Sequence, residues 1–401
     1  MLIAAILLHE PENLPTWFAS SEETALTVSA LSTLRAAVDA ASNSSERGEA
    51  TAKVGTCLAQ LGQFEEAESI LKNLRQEHPV DVYPTVNLRA IILEAVILYY
   101  KNINHLSLDR IKRVFMLANA CSADEVASEA SVWLAHFAFN FEDYSGFKQG
   151  IEFSLAHFDY LSDTYRSRIC LTIADAYQFL GDREYSQNWY TCARILSRQA
   201  HDHGLIAAIE HNRLVIGLSR VRAERARKQS EAEGVKRNWE VELASVLRLI
   251  EGFGGNSLPE LMDLSDCFAC QLREDYVGAI QAMDRIEAAD AIERCGMTRT
   301  LFVIERSWCL SCLQVEIDAD AVQNLNLSAI EALPLNDQLI ALPLLFEISS
   351  ISKIPINLES YNAMLHKAES YYSQTLNAMR NGLSVAGDWW FKIQSNLLVK
   401  N

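Results

Sequence analysis

Two pairs of cysteines have a spacing at which thiolates can share a metal ion. Cys267 and Cys270 form the first pair, and Cys309 and Cys312 form the second. Two such pairs can bind Zn²⁺ through four thiolates. The two cysteines of each pair are one helical turn apart, however, and do not form the knuckle of a zinc ribbon. We therefore expect all four to pack in a hydrophobic core, with a zinc site and redox chemistry as the alternatives.

Three histidines lie close together in the middle of the chain, at His201, His203 and His211. On a helix the first two point to different sides, and the last two are two turns apart. We expect them to mark a solvated helix start, with a metal site as the alternative. The sequence contains no zinc-protease, phosphate-loop, nucleophile-elbow or dinucleotide pattern. We therefore predict no catalytic residue, no metal, no cofactor and a protein that is not an enzyme.

One basic stretch stands out in an acidic chain. Between Arg213 and Arg237, eight arginines and lysines outnumber three glutamates, whereas the whole chain has a net charge of −17. This stretch is either a solvated helix face that pairs with acidic neighbours, or a docking surface for an acidic partner or a nucleic-acid backbone. The overall charge disfavours general binding to nucleic acid or to anionic membranes. The predicted basic surface consists of Arg220, Arg222, Arg225, Arg227 and Lys228.

The composition indicates a helical protein. Of 401 residues 49% are hydrophobic, and 16 glycines and 8 prolines provide few turn signals, which favours an all-α fold. Nine scattered cysteines do not resemble a disulfide framework and predict a reducing, cytoplasmic setting. The apolar start at residues 1–15 lacks the cationic residue and the cleavage pattern of a signal peptide. No apolar run approaches the roughly 18 residues of a membrane span, so we expect no membrane association.

The clearest local pattern covers residues 51–79. It predicts two short amphipathic helices joined by a turn at Gly62, with Gly55 in the first helix and Ala67 in the second. These two residues have almost no side chain, so the helices can approach closely where they cross. Glycine also adopts the left-handed conformation that ends many helices. One such pair cannot bury its apolar face alone, so the pattern implies neighbouring pairs.

This pattern resembles the tetratricopeptide repeat, a helix–turn–helix unit of about 34 residues with small residues in both helices and a terminal proline. A better repeat after it covers residues 167–200, with its turn at Gly181 and Asp182. A weaker one covers residues 128–161, where Phe147 replaces the usual alanine and a wider helix crossing is expected. When the two C-terminal segments that contain the cysteine pairs are aligned with these repeats, all four cysteines fall on positions where a repeat packs small or apolar residues. The resemblance implies an α-solenoid of stacked antiparallel helix pairs that winds into a right-handed superhelix.

The strongest break in the helical pattern lies at residues 252–256. We therefore predict an N-terminal helical array over residues 1–252 and a C-terminal array over residues 257–401 that ends in a capping helix. Within the second array Pro334, Pro343 and Pro355 are expected to separate short helices, before a long closing helix at residues 359–380.

In proteins that resemble this one, the first helices of successive repeats line a concave groove that receives a peptide or a helix. Carried over residue by residue, that face predicts a mixed groove in which Phe139, Phe179 and Phe268 are apolar anchors. The lysines and asparagines that clamp a terminal carboxylate in chaperone-binding members are absent. The predicted groove consists of Glu129, Val132, His136, Phe139, Asn140, Arg168, Leu171, Asp175, Gln178, Phe179, Leu264, Phe268, Gln271, Arg306 and Leu313.

The resemblance therefore implies a non-enzymatic scaffold or adaptor that binds a protein or peptide partner as part of a complex. One alternative is a regulatory module that senses a peptide or ligand, because bacterial peptide-responsive regulators are similar in their repeats. A further alternative is a nucleic-acid-associated protein that uses the basic residues 213–237.

Overall fold

A computed structural model describes residues 30–226, 259–293, 295, 297–315, 317, 326–352, 355–387, 389, 390 and 393, with the single positions 244, 246 and 248. Over these residues the chain is helical and forms no strand, which confirms the all-α prediction for them. Of the helices described, none combines the length and the apolar composition that crossing a bilayer requires. The α-helices are α1 (Ala30–Ala40), α2 (Ser44–Gln60), α3 (Phe64–Glu77), α4 (Pro84–Asn102), α5 (Leu106–Ala120), α6 (Asp124–Asn140), α7 (Tyr144–Ala156), α8 (Asp163–Leu180), α9 (Arg183–Gln199), α10 (His203–Ala226), α11 (Pro259–Leu272), α12 (Tyr276–Ala288), α13 (Arg299–Cys312), α14 (Leu327–Glu331), α15 (Leu335–Ser352) and α16 (Leu358–Gly382).

Consecutive helices pack as pairs. Helix α2 packs on α3, α4 on α5, α6 on α7 and α8 on α9, and the first helices of neighbouring pairs also contact one another. The helices α2, α4, α6, α8 and α10 thus form a central row, with the second helix of each pair beside it. The bounds agree with the pairs predicted at residues 51–79, 128–161 and 167–200. This packing is consistent with a helical repeat.

Small residues set how closely the helices approach. An added Cβ at Gly55 would lie 2.7 Å from Leu93 Cδ2 and 3.1 Å from Ile70 Cγ2, so α2 needs this glycine against α3 and α4. The wider crossing expected at Phe147 is wrong. Gly150, one turn further along α7, lies against the backbone of α6, where an added Cβ would be 2.5 Å from the Ala135 nitrogen.

Side-chain caps and left-handed residues define the helix ends. Asn43 accepts a hydrogen bond from the Glu46 N–H at 2.9 Å where α2 begins. Such caps stabilise helix starts because the first N–H groups have no partner within the helix. Gly62 and Gly181, with φ of 76° and 83°, adopt the left-handed conformation just after α2 and α8. The turns predicted at both glycines are confirmed.

Two hydrophobic clusters form the core. The first is built mainly from α2–α9, and the second from the later part of α10 together with α11–α15. Helix α16 belongs to both, because Met364 packs against the second cluster whereas Met379 and Leu383 lie in the first. The predicted boundary at residues 252–257 lies outside the described residues, so the division into two arrays stays a prediction. The closing helix, which was assigned to the C-terminal array, reaches back into the first cluster.

Helix α15 contains Pro343 in its interior, so the expectation that this proline separates two helices is wrong. An interior proline removes one backbone hydrogen bond and costs about 3 kcal/mol. Leu342 and Leu344 on either side of it are buried in the second cluster, and burial of two such side chains offsets a loss of that size.

Candidate functional site

The residues predicted to line a partner groove lie on helices of the central row and on C-terminal helices, but most of them are not open to solvent. We call the side of the central row that carries them its inner side. Half-buried members are Phe139, Gln178, Phe179, Arg306 and Leu313, and Asn140 is exposed. The expectation of an open groove is therefore wrong for the buried members, and the contacts described next give the reason. These buried members are Glu129, Val132, His136, Arg168, Leu171, Asp175, Leu264, Phe268 and Gln271.

Arg168 on α8 shows how the inner side of the central row is closed. Its side chain is 5% exposed. Its Nη2 donates to Gln60 Oε1 at 2.9 Å, and its Nη1 donates to the Tyr100 hydroxyl at 3.3 Å. Its Cζ lies 4.3 Å from the centre of the Trp133 ring. One side chain therefore joins α8 to α2, α4 and α6, and the row must curve back on itself to allow these contacts.

A charged cluster joins the first three helices of the row. Arg89 on α4 pairs with Glu49 on α2 and donates from Nε to Glu129 Oε2 on α6 at 3.1 Å. Lys53 adds a contact to Glu129 Oε1 at 3.0 Å. Burial alone would lower the pKa of Arg89, but the surrounding carboxylates, led by Glu129, raise it. Glu129 is therefore engaged within the chain.

Aromatic rings fill the space beside Arg168. The His136 ring lies 5.5 Å from the ring of Tyr99 and 6.0 Å from that of Trp133. Burial, with a smaller effect from the charge of Arg168, lowers the pKa of His136 to about 3. The imidazole is therefore neutral near neutral pH and acts as a packing group.

Asp175 is a buried carboxyl group between α8, α9 and α10. It accepts hydrogen bonds from the Tyr190 hydroxyl at 2.7 Å and from the Asn212 amide at 2.8 Å. Burial raises the pKa of Asp175 to about 7, although both hydrogen bonds act to lower it. Gln178, further along α8, donates to the backbone carbonyl of Arg213 at 2.6 Å. Both predicted groove residues thus attach α8 to its neighbours.

The three predicted aromatic anchors pack within the chain. The Phe139 ring lies 5.7 Å from that of Phe147, and the Phe179 ring lies 6.1 Å from that of Tyr372 on α16. Phe268 is 5% exposed and belongs to the second cluster. Phe268 is too deeply buried to act as an apolar anchor for a partner. The rings of Phe139 and Phe179 are partly covered by the rings beside them.

The C-terminal members of the predicted groove are also engaged. Gln271 donates from Nε2 to Glu305 Oε2 at 3.2 Å and so joins α11 to α13. Arg306 pairs with Asp284 at 2.5 Å. These contacts hold neighbouring helices together and leave little of this face for a partner.

The cysteine pairs occupy packing positions, as predicted. Cys267, Cys270 and Cys309 are buried in the second cluster, and Cys312 packs against it. Across the part of the chain that the structure describes, no three His, Cys, Asp or Glu side chains are grouped to hold a metal ion. His211 is instead half-buried: its Nε2 is buried with no hydrogen-bond partner among the described residues, and burial of the ring lowers the pKa of His211 to about 4.

The predicted basic surface is described only at its beginning. Arg220 is half-buried, and its guanidinium lies directly against Gly181 at the C-terminal end of α8. A cation is favourable there because the last carbonyl groups of a helix carry partial negative charge. The side chains of Arg222 and Arg225, and all of Arg227 and Lys228, lie outside the described residues.

A surface feature that the sequence did not predict lies next to Arg220. A cleft of about 590 Å³ separates the α8–α9 turn from the end of α16. We call it the tyrosine–arginine cleft. The rings of Tyr177 and Tyr185 stack at 5.2 Å on one wall. Its lining residues are Tyr177, Leu180, Gly181, Asp182, Arg183, Tyr185, Arg380, Leu383, Ser384 and Gly387.

The chemistry of this cleft is that of a binding surface. Arg183 and Arg380 are exposed and lie on opposite walls. Burial, followed by the nearby Tyr185 and Asp182, raises the pKa of Tyr177 to about 12, so its hydroxyl stays neutral and can donate a hydrogen bond. The walls come from helices far apart in the sequence, so no local motif could have predicted the cleft.

Comparison with protein-family models, with curated protein sequences and with solved structures finds no match to this chain.

Proposed function

We propose that this chain is a non-enzymatic interaction scaffold, a TPR-like α-solenoid that binds a segment of a protein partner. The helix pairs stacked along the central row support the repeat architecture. The observation that carries the binding part is the tyrosine–arginine cleft. Tyrosine and arginine are enriched among the residues that contribute most to protein–protein affinity.

Both walls of the cleft are anchored in the first hydrophobic cluster. Met379 and Leu383 fix the α16 wall, because both side chains are buried. Trp189 and Tyr190 fix the α9 wall in the same way, and Trp390 lies 5.7 Å from the Trp189 ring. A surface that is already ordered loses little conformational entropy when a partner binds.

The cleft is favoured over the inner side of the central row. A partner that entered there would have to displace bonds such as those of Arg168 and Asp175, which are buried. Each polar group left buried without a partner costs roughly 1–3 kcal/mol. A partner that binds the exposed arginines of the cleft does not have to break buried hydrogen bonds, so this cost does not arise.

Gly387→Trp tests the proposal by filling the cleft. No heavy atom of the described residues lies within 4 Å of a Cβ added at Gly387, so the new side chain enters open space without disturbing the core. We expect tagged Gly387→Trp to lose the proteins that co-purify with the unchanged chain, measured by quantitative mass spectrometry. Its melting temperature should stay close to that of the unchanged chain.

The matched control is Asn362→Trp, which adds the same side chain at an exposed position near the start of α16. This variant should keep the full set of partners. If Gly387→Trp keeps them as well, the cleft is not the docking surface of the scaffold.

A further inference from the structure

We infer that the tyrosine–arginine cleft takes an acidic peptide segment, whose carboxylates pair with Arg183 and Arg380. The inference rests on the proposed scaffold function and adds the chemistry of the partner. It starts from charge: two cationic side chains, one on α9 and one on α16, line the same cleft in a chain whose net charge is −17.

The two arginines have no carboxylate partner among the described residues. Arg183 is exposed at the first position of α9. Arg380 is also exposed. Within the described residues its side chain makes one hydrogen bond, which Nη1 donates to Asn377 Oδ1 at 3.2 Å. Other exposed arginines do have acidic partners, as Arg285 has Asp263 and Asp266. The cleft therefore presents two guanidinium groups that can still bind carboxylates in the bidentate geometry these groups favour.

The acidic residues beside the cleft do not neutralise these arginines. Asp182 accepts a hydrogen bond from the Tyr185 N–H at 3.3 Å and so caps α9. Glu184 is exposed next to Arg183, but neighbouring residues on a helix do not face each other. The cleft lining thus carries two arginines against one aspartate, in a chain that is acidic overall.

A peptide fits this surface better than a nucleic acid does. The rings of Tyr177 and Tyr185 stack on each other at an interplanar angle of 22°, so their facing surfaces are not available to bases. Proteins that bind single strands expose aromatic faces for stacking. Small residues at Ser384 and Gly387 leave room for a peptide backbone between the walls, and a Cβ added at Gly387 would have no heavy atom of the described residues within 4 Å.

The test compares a charge-removing variant with a charge-matched control. The variant Arg183→Ser/Arg380→Ser removes both cleft arginines. The control Arg47→Ser/Arg113→Ser removes two exposed arginines from α2 and α5 and changes the net charge equally. The probes are fluorescein-labelled oligoglutamate and fluorescein-labelled oligothymidylate, titrated by fluorescence anisotropy at low and at high salt.

We expect oligoglutamate to bind the unchanged chain and the control alike. The cleft variant should bind it about tenfold more weakly, because it loses two charge-assisted contacts and each contributes only modestly at an exposed site. An equal loss in the control would show that net charge alone is responsible, and would overturn the inference. Tighter binding of oligothymidylate than of oligoglutamate, lost in the cleft variant, would also overturn it, because the partner would then be a nucleic acid.

The same variants separate this inference from the scaffold function on which it rests. If Gly387→Trp loses its protein partners while Arg183→Ser/Arg380→Ser keeps them, the cleft is a docking surface but its partner is not acidic. If neither variant loses partners, the scaffold proposal itself fails at this site.

Discussion

Asp175 is a residue whose charge is poorly matched to its surroundings. It is 2% exposed, and burial raises its pKa from an ordinary value of 3.8 to about 7. The folded chain therefore binds this proton more tightly than the unfolded chain does. The resulting stabilisation is complete below about pH 4 and is lost as the pH rises through about 7. His136 and His211, whose pKa values burial lowers to about 3 and about 4, act in the opposite direction.

Asp175→Asn removes the ionisable group and should show this effect directly. We expect the free energy of unfolding of the variant to rise relative to the unchanged chain between about pH 4 and about pH 7, and then to level off. The gain is at most about 4 kcal/mol, because one pKa unit corresponds to about 1.4 kcal/mol and the amide hydrogen-bonds less well to Asn212. Urea denaturation across this range measures it, and the histidine effects cancel in the difference.

The control for this experiment is Asp109→Asn, because Asp109 is exposed on α5. The difference in free energy of unfolding between Asp109→Asn and the unchanged chain should not follow the same pH curve. A difference for Asp175→Asn that stays constant from about pH 4 to about pH 8 would contradict the idea that the buried charge is destabilising.

At the residue scale, helical spacing assigned the groove residues to one face of each helix but did not predict their exposure. Glu129, Arg168 and Asp175 were expected to line an open groove, and the structure buries all three in hydrogen bonds within the chain. Helical spacing defines such a face within each helix. It does not define the curvature of the row, which accumulates over several helix crossings and decides whether a groove stays open.

At the element scale, left-handed residues recur at the helix ends. Glycines account for two of them, Gly62 and Gly181, and these were recognisable in the sequence. The others are not glycine, so their residue types are weaker signals of a helix end, although a turn was predicted at Glu142. At all of these positions except Ile103, the N–H of the next residue donates to the carbonyl five residues back, as from the Ala123 N–H to the Ala118 carbonyl at 2.9 Å; after Ile103 the Asn104 N–H donates to the Leu98 carbonyl, six residues back. The non-glycine members are Ile103, Ser122, Glu142, His201, Glu274, Asp290 and Gln314.

Ser122 tests this feature, since it is exposed just after α5 with φ of 54°. A left-handed conformation costs roughly 1–2 kcal/mol for residues with a Cβ atom, and glycine avoids most of this cost. We expect Ser122→Gly to raise the free energy of unfolding by up to about 1 kcal/mol, and Ser122→Val to lower it. Thermal and urea denaturation measure both. The opposite order would show that this helix end does not need its left-handed residue.

At the scale of the whole molecule, the chain folds back on itself. The Ala30 N–H donates to the His201 carbonyl at 3.1 Å, which places the start of α1 beside the α9–α10 turn. Glu142, at the α6–α7 turn, accepts hydrogen bonds from Asn336 and from the Tyr371 hydroxyl. Composition and periodicity predicted the helices, but these contacts join polar residues that have no pattern of their own in the sequence. Two separate arrays were therefore the simplest expectation.

Gly382 is a position at which α16 packs closely against α7. It lies at the end of α16, and an added Cβ would be 2.6 Å from Phe147 Cδ1 and 2.8 Å from its Cε1. The Phe147 ring is fully buried in the first cluster, so it has little space to move. No sequence pattern marked this glycine, because its partner is on α7.

Gly382→Val should therefore push α16 away from α7 and loosen both. We expect a loss of about 1–3 kcal/mol in the free energy of unfolding, as for other overpacked cores. Hydrogen exchange measured by mass spectrometry should become faster in α7 and α8 as well as in α16, because the end of α16 is part of the first cluster. Ser373→Val, at an exposed position of the same helix, controls for placing valine in α16 and should leave exchange in α7 unchanged. Faster exchange confined to α16 in Gly382→Val would mean that the first cluster is stable without this helix, and that the predicted N-terminal array is a separate folding unit.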